Sequence, residues 1–295
     1  MSIAFSIVNS MATAAAVFLI AVAGFISEPS AADTGVKTKL FLVSIGNGDP
    51  DNITLRAVST IRESDIIFCS KREQEKFPDL LQGKEIHDPG FGIFGVYGKT
   101  AEQLKDNKRF NYEEKMKQFN EISAIIRDAV KKGKTVSVLD SGDPTIYGPN
   151  MWYMEAFEDL NPKIIPGVSC FNAANAALGK GVTSGEKAHS VILTASFGRE
   201  DYAGPDSIAK LAQHQATMAF FTMFLKIPEV VQQLKTHYPP DTPIAIVQHA
   251  GYREKERVIR GTLDTIVEAV KGEKIDFEYM IYVGDFLTKR YKSGS

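Results

Sequence analysis

The sequence predicts an α/β protein with two α/β domains, the first built on a mainly parallel sheet and the second on a mixed sheet. Short apolar runs of strand length alternate with amphipathic helical segments through the first half of the chain. Such alternation is typical of a parallel sheet with crossover helices. In the second half several strand-like runs follow one another directly, which indicates a mixed sheet. We expect the two domains to meet near Pro166.

The predicted strands are short apolar runs bounded by glycine or polar residues. In the first half these are "KLFLVSI" (39–45), "DIIFC" (65–69) and "TVSVLD" (135–140). Runs of this length and composition are typical of buried strands. The second half begins at "KIIPGVS" (163–169) and carries the runs "SVILTAS", "TMAFF", "PIAIVQ", "RVIRGTL" and "YMIYVG".

The predicted helices show apolar residues at three- and four-residue steps. "DNITLRAVSTIRES" places Ile53, Ala57 and Ile61 on one face, with Leu55 and Val58 alongside. "NYEEKMKQFNEISAIIRDAVKKGK" is a longer amphipathic segment, and Gly133 is its stop signal. "CFNAANAALG" is a helix of small residues. With the domains meeting near Pro166, the sequence predicts an N-terminal domain over 36–165 and a C-terminal domain over 166–290.

Composition excludes several classes of protein. The chain has 295 residues, of which 44% are hydrophobic and 24% charged, so it is globular rather than disordered. A net charge of -2 argues against a nucleic-acid binder. Its two cysteines, Cys69 and Cys170, form no CxxC motif and suggest neither a zinc site nor a disulfide scaffold. We therefore expect no metal, and we interpret Cys69 as a buried structural thiol.

The first 35 residues stand apart from the predicted domains. "ATAAAVFLIAVAGFI" (12–26) is continuously apolar, and Ser30 and Ala32 are small residues placed as a signal peptidase requires. No Lys or Arg precedes the apolar run, and the first positive charges follow it. Three interpretations stay open: a cleaved signal peptide, an uncleaved membrane anchor through residues 3–26, or an extension from a mistaken start. The predicted location is accordingly exported (periplasmic) or membrane-anchored, with the cytoplasm as the alternative.

Two glycine-containing segments follow predicted strands of the first domain. In "SIGNGDPDNITL" (44–55), Gly46 and Gly48 stand between a strand and a helix, where backbone N–H groups point at a ligand. Asp51 occupies the position of the third glycine of a dinucleotide motif, and no P-loop is present. A plain turn, with Asp49 or Asp51 capping the helix, is the alternative. In "SGDPTIYG" (141–148) a glycine again permits close approach to the backbone, and Asp143 before Pro144 as a cap of the next helix is the alternative.

Two further segments of small residues belong to the second half. "PGVSCFNAANAALG" (166–179) allows close packing either on a flat ligand or on a neighbouring helix. In "VQHAGYREKERVIRGTL" (247–263), Ala250 and Gly251 end one strand, and Gly261 interrupts the next, which suggests a bulge or a close-approach site. Each signal is weak alone, but their order along the chain is distinctive.

In that order the segments resemble the tetrapyrrole (corrin/porphyrin) methylases, S-adenosylmethionine-dependent enzymes of cobalamin and sirohaem synthesis. The resemblance covers nearly everything from 38 to 287. It runs through "GKTVSVLDSGDPTIYG", "IIPGVSCFNAANAALG", "HSVILTAS" and "PPDTPIAIVQHAGYREKERVIRGTL" to "MIYVGDF". "SGDPTIYG" followed by "PGVSCFNAANAALG" is most similar to the precorrin-4 C11-methyltransferase branch.

The resemblance implies a tetrapyrrole substrate, a homodimer, and a cleft between the two domains in which S-adenosylmethionine lies folded. It also explains the glycines at the strand ends, since in the family such loops hold the cofactor with main-chain atoms. Carried over position by position, the implied cofactor-binding residues are Asn47, Ser141, Gly142, Asp143, Ile146, Ser169, Cys170, Thr222 and Ala250.

The chain departs from the family pattern at several positions. Asn47 stands where relatives usually have proline, Thr222 where methionine is frequent, and Cys170 where Thr, Ser or Ala is more frequent. Ser70 stands where some relatives have a functional aspartate. The segment 84–110 does not match the relatives and is expected to face the substrate. Because this segment is expected to face the substrate, the resemblance does not fix which substrate is bound.

The resemblance names no certain catalytic residue, because a nucleophilic tetrapyrrole carbon needs a base only to remove a proton after methyl transfer. Asp88 and Tyr147 are substrate-side candidates, with a loop cap and a core aromatic as the alternative interpretations. Two rival functions stay open. One is a peptide-backbone N-methyltransferase on the same fold, and the other is a non-catalytic, exported binding or sensing relative.

Overall fold

The structure is a computed structural model that describes residues 38–106, 109–195, 204–221 and 225–288. The N-terminal segment, for which a signal peptide or anchor is predicted, lies outside these residues. Within them, no helix combines the length and the apolar character needed to cross a bilayer.

The first sheet is parallel throughout, with the strand order β3-β2-β4-β1-β5. Its central strand β4 is buried along its whole length and pairs with β1 so that Leu42 lies beside Val138. Near-continuous apolar strands are expected where helices cover both faces of a sheet. The strands are β1 (Leu40–Ser44), β2 (Ile66–Phe68), β3 (Glu85–His87), β4 (Val136–Asp140) and β5 (Lys163–Ile165).

Helices pack on both faces of this sheet. One face buries Ala57 and Ile61 of the first helix, and the other buries Ile122 and Ile126 of the long fourth helix. The helices of this half are α1 (Leu55–Glu63), α2 (Lys71–Lys76), α3 (Pro78–Leu81), α4 (Tyr112–Lys131), α5 (Pro144–Tyr147) and α6 (Trp152–Ala156).

The second sheet is mixed, with the order β6-β7-β10-β8-β9. Strands β6 and β7 are parallel, and the other pairs are antiparallel. Central strands β7 and β10 are almost wholly buried between two apolar clusters. The strands are β6 (Val191–Thr194), β7 (Thr217–Phe221), β8 (Pro243–Gln248), β9 (Arg257–Thr262) and β10 (Tyr279–Val283).

The helices of the second half are α7 (Cys170–Leu178), α8 (Ile208–Ala212), α9 (Ile227–Leu234) and α10 (Ile266–Ala269). Helix α7 consists largely of small residues, and its Ala173, Ala174 and Leu178 pack against β8 and β10. Single 3-10 turns lie at Pro50–Asn52, Ile93–Gly95, Glu102–Leu104, Glu158–Leu160 and Asp285–Leu287.

The predicted fold class is confirmed, since one sheet is parallel and the other mixed. Two details of the prediction differ from the structure. Leu55 is 87% exposed, because the buried face of α1 carries Ala57 and Ile61 instead. Thr54 caps this helix by accepting the N–H of Ala57 at 3.2 Å, so neither Asp49 nor Asp51 does. The predicted domain boundaries stay a prediction.

A seam of main-chain contacts joins the loop after β1 to the loop after β8. The Asp49 N–H donates to the Gly251 carbonyl at 2.9 Å, and the Asn52 side chain donates to the same oxygen at 3.2 Å. Gly48 has a φ of 84°, and a Cβ at this position would overlap the main chain of Gly251. We call these contacts between 46–53 and 249–253 the glycine seam.

Replacing Gly48 is expected to open the glycine seam. In Gly48→Ala the methyl group meets backbone rather than a movable side chain, so the loops must separate. Gly83→Ala is the matched control, because Gly83 has a φ of 73° with no atom within 4 Å of its Cβ position. Both variants carry left-handed strain of about 1–2 kcal/mol. Overpacking adds a further cost of about 1–3 kcal/mol at Gly48 alone. Equal losses of unfolding free energy in urea would contradict the close packing of the seam.

Candidate active site

A cavity of about 250 Å³ lies at the carboxyl ends of β1 and β4, where the first sheet faces the second. Open α/β sheets bind ligands at this edge. The first sheet contributes the loop 46–48 and Ser141. The second contributes apolar side chains from three strands, Phe221, Val247 and Met280. The walls are therefore glycine loops on one side and apolar strand residues on the other.

The structure brings together residues that the sequence analysis took from four separate segments. Four of the predicted cofactor-binding residues line this cavity, and so does one of the two substrate-side candidates. They are Asn47, Ser141, Cys170, Ala250 and Tyr147. Four more predicted residues lie one or two positions along the chain from a lining residue. Gly142 and Asp143 follow Ser141, Ile146 precedes Tyr147, and Ser169 precedes Cys170. Thr222 lies outside the described residues.

Gly142 holds the strand end next to the cavity. Its N–H donates to the Gly46 carbonyl at 3.1 Å, and its own carbonyl accepts the Ser44 hydroxyl. Its φ is 74°, which favours glycine. The nearest atom to a Cβ built here is the Cys170 nitrogen at 4.0 Å, so a larger side chain would enter the space beside that residue.

Two other predicted residues cap helices next to the cavity. Asp143 accepts hydrogen bonds from the N–H and the hydroxyl of Thr145, at 2.9 and 2.6 Å. The buried Ser169 hydroxyl accepts the Asn172 N–H at 3.2 Å and donates to the Asn172 side chain at 2.8 Å. Both thus fix the start of a helix whose neighbouring residues line the cavity.

Asn47 replaces the proline of the family pattern with a hydrogen-bond donor. Its side-chain Nδ2 donates to the Ala250 carbonyl at 2.7 Å. Its main-chain carbonyl accepts a hydrogen bond from the Asn52 side chain at 2.8 Å. Proline has no side-chain donor. The departure therefore adds a bond to the glycine seam between two residues that both line the cavity.

The two substrate-side candidates separate in the structure. Tyr147 lines the cavity, and its ring stacks on Phe221 with a centroid distance of 5.1 Å. Burial raises its pKa, and the charge of Arg109 opposes that shift, so the phenol is protonated at neutral pH. Asp88 is not among the lining residues. Its carboxylate accepts the Gly90 N–H at 2.7 Å and the Gln118 amide at 2.9 Å, as a loop cap does.

The sequence analysis missed the charged residues at one end of the cavity. Helix α2 begins directly after β2 and brings Arg72, Glu73 and Lys76 to the lining. A run such as "SKREQEK" looks like a solvated surface, so its composition hid these residues. The signal that points to them is position, because α2 follows the carboxyl end of a parallel strand.

Polar groups of the second sheet complete this charged end. Arg72 pairs with Glu278 and donates to the Tyr252 hydroxyl at 2.7 Å. The two nitrogens of His249 face Asp276 at 3.1 Å and Glu278 at 3.6 Å. Arg72 therefore bridges the two sheets across the cavity.

Asp140, the last residue of β4, is a buried acid that the sequence analysis did not single out. It is 4% exposed, and its Oδ2 has no hydrogen-bond partner among the described residues. Burial and the negative charge of Glu73 raise its pKa to about 7. Hydrogen bonds from Asn150 and from the Ser141 N–H act in the opposite direction. Asp140 thus ties the start of the 141–150 segment to its end.

The cysteines are inert thiols at neutral pH. Burial raises the pKa of Cys69, and that of Cys170, to about 12. Cys170 therefore contributes a small apolar surface to the lining rather than a nucleophile. In the part of the chain that the structure describes, no group of three or more His, Cys, Asp or Glu is placed to hold a metal ion.

Asp140→Asn should change how stability depends on pH. The raised pKa means that the folded protein holds a proton between about pH 4 and 7 that the unfolded chain releases, so this group destabilises the fold as pH rises. The difference in unfolding free energy, variant minus wild type, should therefore rise by about 2–3 kcal/mol as the pH is raised from 5 to 8. Asp159→Asn is the control, because its exposed carboxyl has a pKa lowered by Arg127. A constant difference between Asp140→Asn and wild type would contradict the prediction, because it would show that Asp140 does not titrate in the folded protein between pH 5 and 8.

Comparisons with known proteins agree with this geometry. A family model described as tetrapyrrole (corrin/porphyrin) methylases matches residues 39–267. A cobalt-precorrin-4 C(11)-methyltransferase of Methanocaldococcus jannaschii is 34% identical over 257 residues, which cover 86% of this chain and 90% of that protein. A uroporphyrinogen-III C-methyltransferase of Priestia megaterium is 32% identical over 251 residues, covering 84% and 97%.

Solved structures show the same fold. A cobalt-precorrin-4 methyltransferase, described as a cobalamin biosynthetic enzyme, superposes with a TM-score of 0.67 at 23% identity, covering 85% of this chain and 96% of that one. A Thermus thermophilus uroporphyrin-III C-methyltransferase complexed with S-adenosylhomocysteine gives a TM-score of 0.55 at 18% identity, covering 84% and 98%. The family model and the two curated relatives confirm the resemblance read from the glycine-containing segments: the chain belongs to the tetrapyrrole (corrin/porphyrin) methylase family.

Proposed function

We propose that this protein is an S-adenosylmethionine-dependent methyltransferase that acts on a tetrapyrrole. The observation that carries the proposal is the meeting of the loops after β1, β4 and β8 and the start of α7 around one cavity. Each of these segments contributes a residue that the family pattern implies for cofactor binding: Asn47, Ser141, Ala250 and Cys170. In a member of this family, such a cavity is the natural place for the methyl donor.

The groups around the cavity fit S-adenosylmethionine chemically. Val247 and Met280 offer apolar surface for the adenine ring. Tyr147 and Phe221 offer aromatic rings, which attract a sulfonium cation. Lys76 is a cation for the amino-acid carboxylate, and burial, followed by the charge of Arg72, lowers its pKa. The glycine loops bring main chain to the cavity wall without side chains in the way.

The cofactor, when bound, supplies a methyl group that the positive sulfur has already activated. The chain's own work is then to position the reactants and to exclude water. A main-chain hydrogen bond from Gly142 to Gly46 fixes the glycine loops beside the cavity, and apolar strand residues cover the opposite side. Alignment of this kind supplies roughly 7–11 kcal/mol of a barrier. Fixed main-chain groups suit it because they do not reorganise during the reaction.

The substrate is proposed to lie toward the 84–110 segment. Arg109 acts electrostatically on Tyr147, a lining residue, so this segment comes near the cavity. Phe91 is 62% exposed, and its ring lies 5.8 Å from that of Phe94. An exposed aromatic ring and a cation suit a flat macrocycle that carries carboxylates. Three of the relatives bear the name precorrin-4 C(11)-methyltransferase, with or without cobalt, so methylation of a precorrin-4-like substrate at C11 is the specific proposal.

Substitution of Gly142 tests the binding part of the proposal. Wild-type protein is expected to bind S-adenosylhomocysteine with a micromolar dissociation constant in calorimetry. Gly142→Trp should weaken binding at least about 100-fold, which corresponds to about 2.7 kcal/mol, because the indole enters the space beside Cys170. Gly133→Trp is the control, since Gly133 has a φ of 76° but is exposed beyond the end of α4. Equal affinities in the two variants would remove Gly142 from the site.

Methyl transfer tests the substrate class. With labelled S-adenosylmethionine we expect label in uroporphyrinogen III or cobalt-precorrin-4 and none in peptide backbones. Label in peptides alone would support the N-methyltransferase alternative. Folded protein that binds no S-adenosylhomocysteine and transfers no label would support a non-catalytic relative.

The homodimer and the role of residues 1–35 are further proposals that rest on the sequence alone. We propose that the chain forms a homodimer and that the N-terminal segment exports or anchors it. Light scattering would show a mass near twice 32.4 kDa for an uncleaved dimer. N-terminal sequencing of the mature protein, combined with fractionation, distinguishes cleavage, anchoring and a cytoplasmic location.

A further inference from the structure

Carbon methylation of a tetrapyrrole requires a proton acceptor, and this inference rests on the proposed function. The substrate gains a methyl group with the positive charge of the sulfonium, so it must lose a proton to return to its original charge. The acceptor must touch the substrate and must not already be fully paired. The residues that line the cavity can be compared on these two conditions.

Most of the titratable groups in the lining fail one condition. Tyr147 is protonated, and so is Cys170, whose pKa burial raises to about 12. Both nitrogens of His249 face carboxylates. Glu278 pairs through one oxygen with Arg72 and faces His249 with the other. Among the residues that the structure describes, one carboxylate of the lining is left, that of Glu73.

Glu73 is held firmly but keeps one oxygen available. It occupies the third position of α2 in a capping box, where its Oε2 accepts the Ser70 N–H at 2.5 Å. Its Oε1 accepts no hydrogen bond from the described residues. The capping box thus fixes the side chain within the charged end of the cavity and leaves the second oxygen for a ligand.

We propose that Glu73 is the catalytic base that accepts the proton lost by the methylated tetrapyrrole. In the step, a carbon–carbon bond forms between substrate and methyl group while the carbon–sulfur bond of the donor breaks, and its electron pair stays on sulfur. A C–H bond of the substrate then breaks, its electrons stay in the macrocycle, and the proton passes to Oε1 of Glu73. The products are the methylated tetrapyrrole, the neutral thioether and a protonated carboxyl group.

The surroundings of Glu73 place its negative charge among several other titratable groups. Its charge acts on Asp140, Cys69 and Lys76, and Arg72 is its neighbour in the chain. Lys76 and Arg72 are cations that stabilise a carboxylate here. Asp140 is the opposing neighbour, buried behind the lining with an unpartnered oxygen. Glu73 therefore shares the charged end of the cavity with two cations and has a buried acid behind the lining.

Glu73→Gln is the sharpest test, because glutamine preserves the capping box and removes the base. We expect kcat to fall about 10²–10⁴-fold. The dissociation constants of S-adenosylhomocysteine, by calorimetry, and of the tetrapyrrole, by absorbance titration, should stay within about threefold. Glu75→Gln, on the exposed side of the same helix, is the matched control and should retain the wild-type rate. A rate for Glu73→Gln within threefold of wild type would overturn the proposal.

A second measurement separates a base from a structural residue. Added formate should restore part of the rate of Glu73→Ala, since it supplies a carboxylate to the vacated space, and should not affect Glu75→Ala. Absence of rescue in a folded, ligand-binding Glu73→Ala protein would contradict the role of base. If wild-type protein transferred no methyl group, the proposed function would fail and this inference with it. Active wild type with an equally active Glu73→Gln removes this inference alone.

Discussion

The cavity depends on two loops, one from each sheet, that meet main chain to main chain. At Gly48 and Gly251 no side chain separates them, and the Asp49 N–H reaches the Gly251 carbonyl directly. A hydrogen-bonded backbone contact of this kind fixes both the distance and the orientation of the two sheets at one point. The cavity lies beside that point, with Gly48 of one loop and Ala250 of the other in its lining. Close packing of glycine is thus a cause of the site and not an accompaniment to it.

Departures from the family pattern are compensated within the same local structures. At position 47 the loss of a proline is matched by a side-chain bond from Asn47 to Ala250 across the glycine seam. At position 70 a serine begins α2, and Glu73 returns a carboxylate to the same helix end through the capping box. These replacements keep the polar groups of the site satisfied with different residues. They argue that the site is maintained, which a drifting, non-catalytic relative would not require.

Sequence reasoning succeeded where a pattern is set by periodicity or by backbone conformation. The strands, the long helix ending at Gly133 and the glycine loops have local causes that can be read from the residues. It failed where tertiary context decides, as with the short strand β3, the exposed Leu55 and the capping Thr54. Asp140 and Glu73 were missed for the same reason. The composition of "VLDSG" and "SKREQEK" does not reveal that one acid is buried and the other faces a cavity, and only the position of each segment at the carboxyl end of a parallel strand points to the site.

The two ends of the cavity differ in how they depend on sequence. The glycine end binds through main-chain atoms, so side-chain substitutions there change affinity mainly by occupying space or by straining the loops. The charged end consists of side chains on a short helix and on the second sheet, where one substitution alters charge, reach and proton affinity together. Under the proposed function the methyl donor reaches both ends, because Lys76, the cation proposed for its carboxylate, belongs to the charged end together with Glu73, the proposed base. This division explains how the glycine end accommodates the departures at Asn47 and Cys170, because main-chain atoms form that end whichever side chain each residue carries.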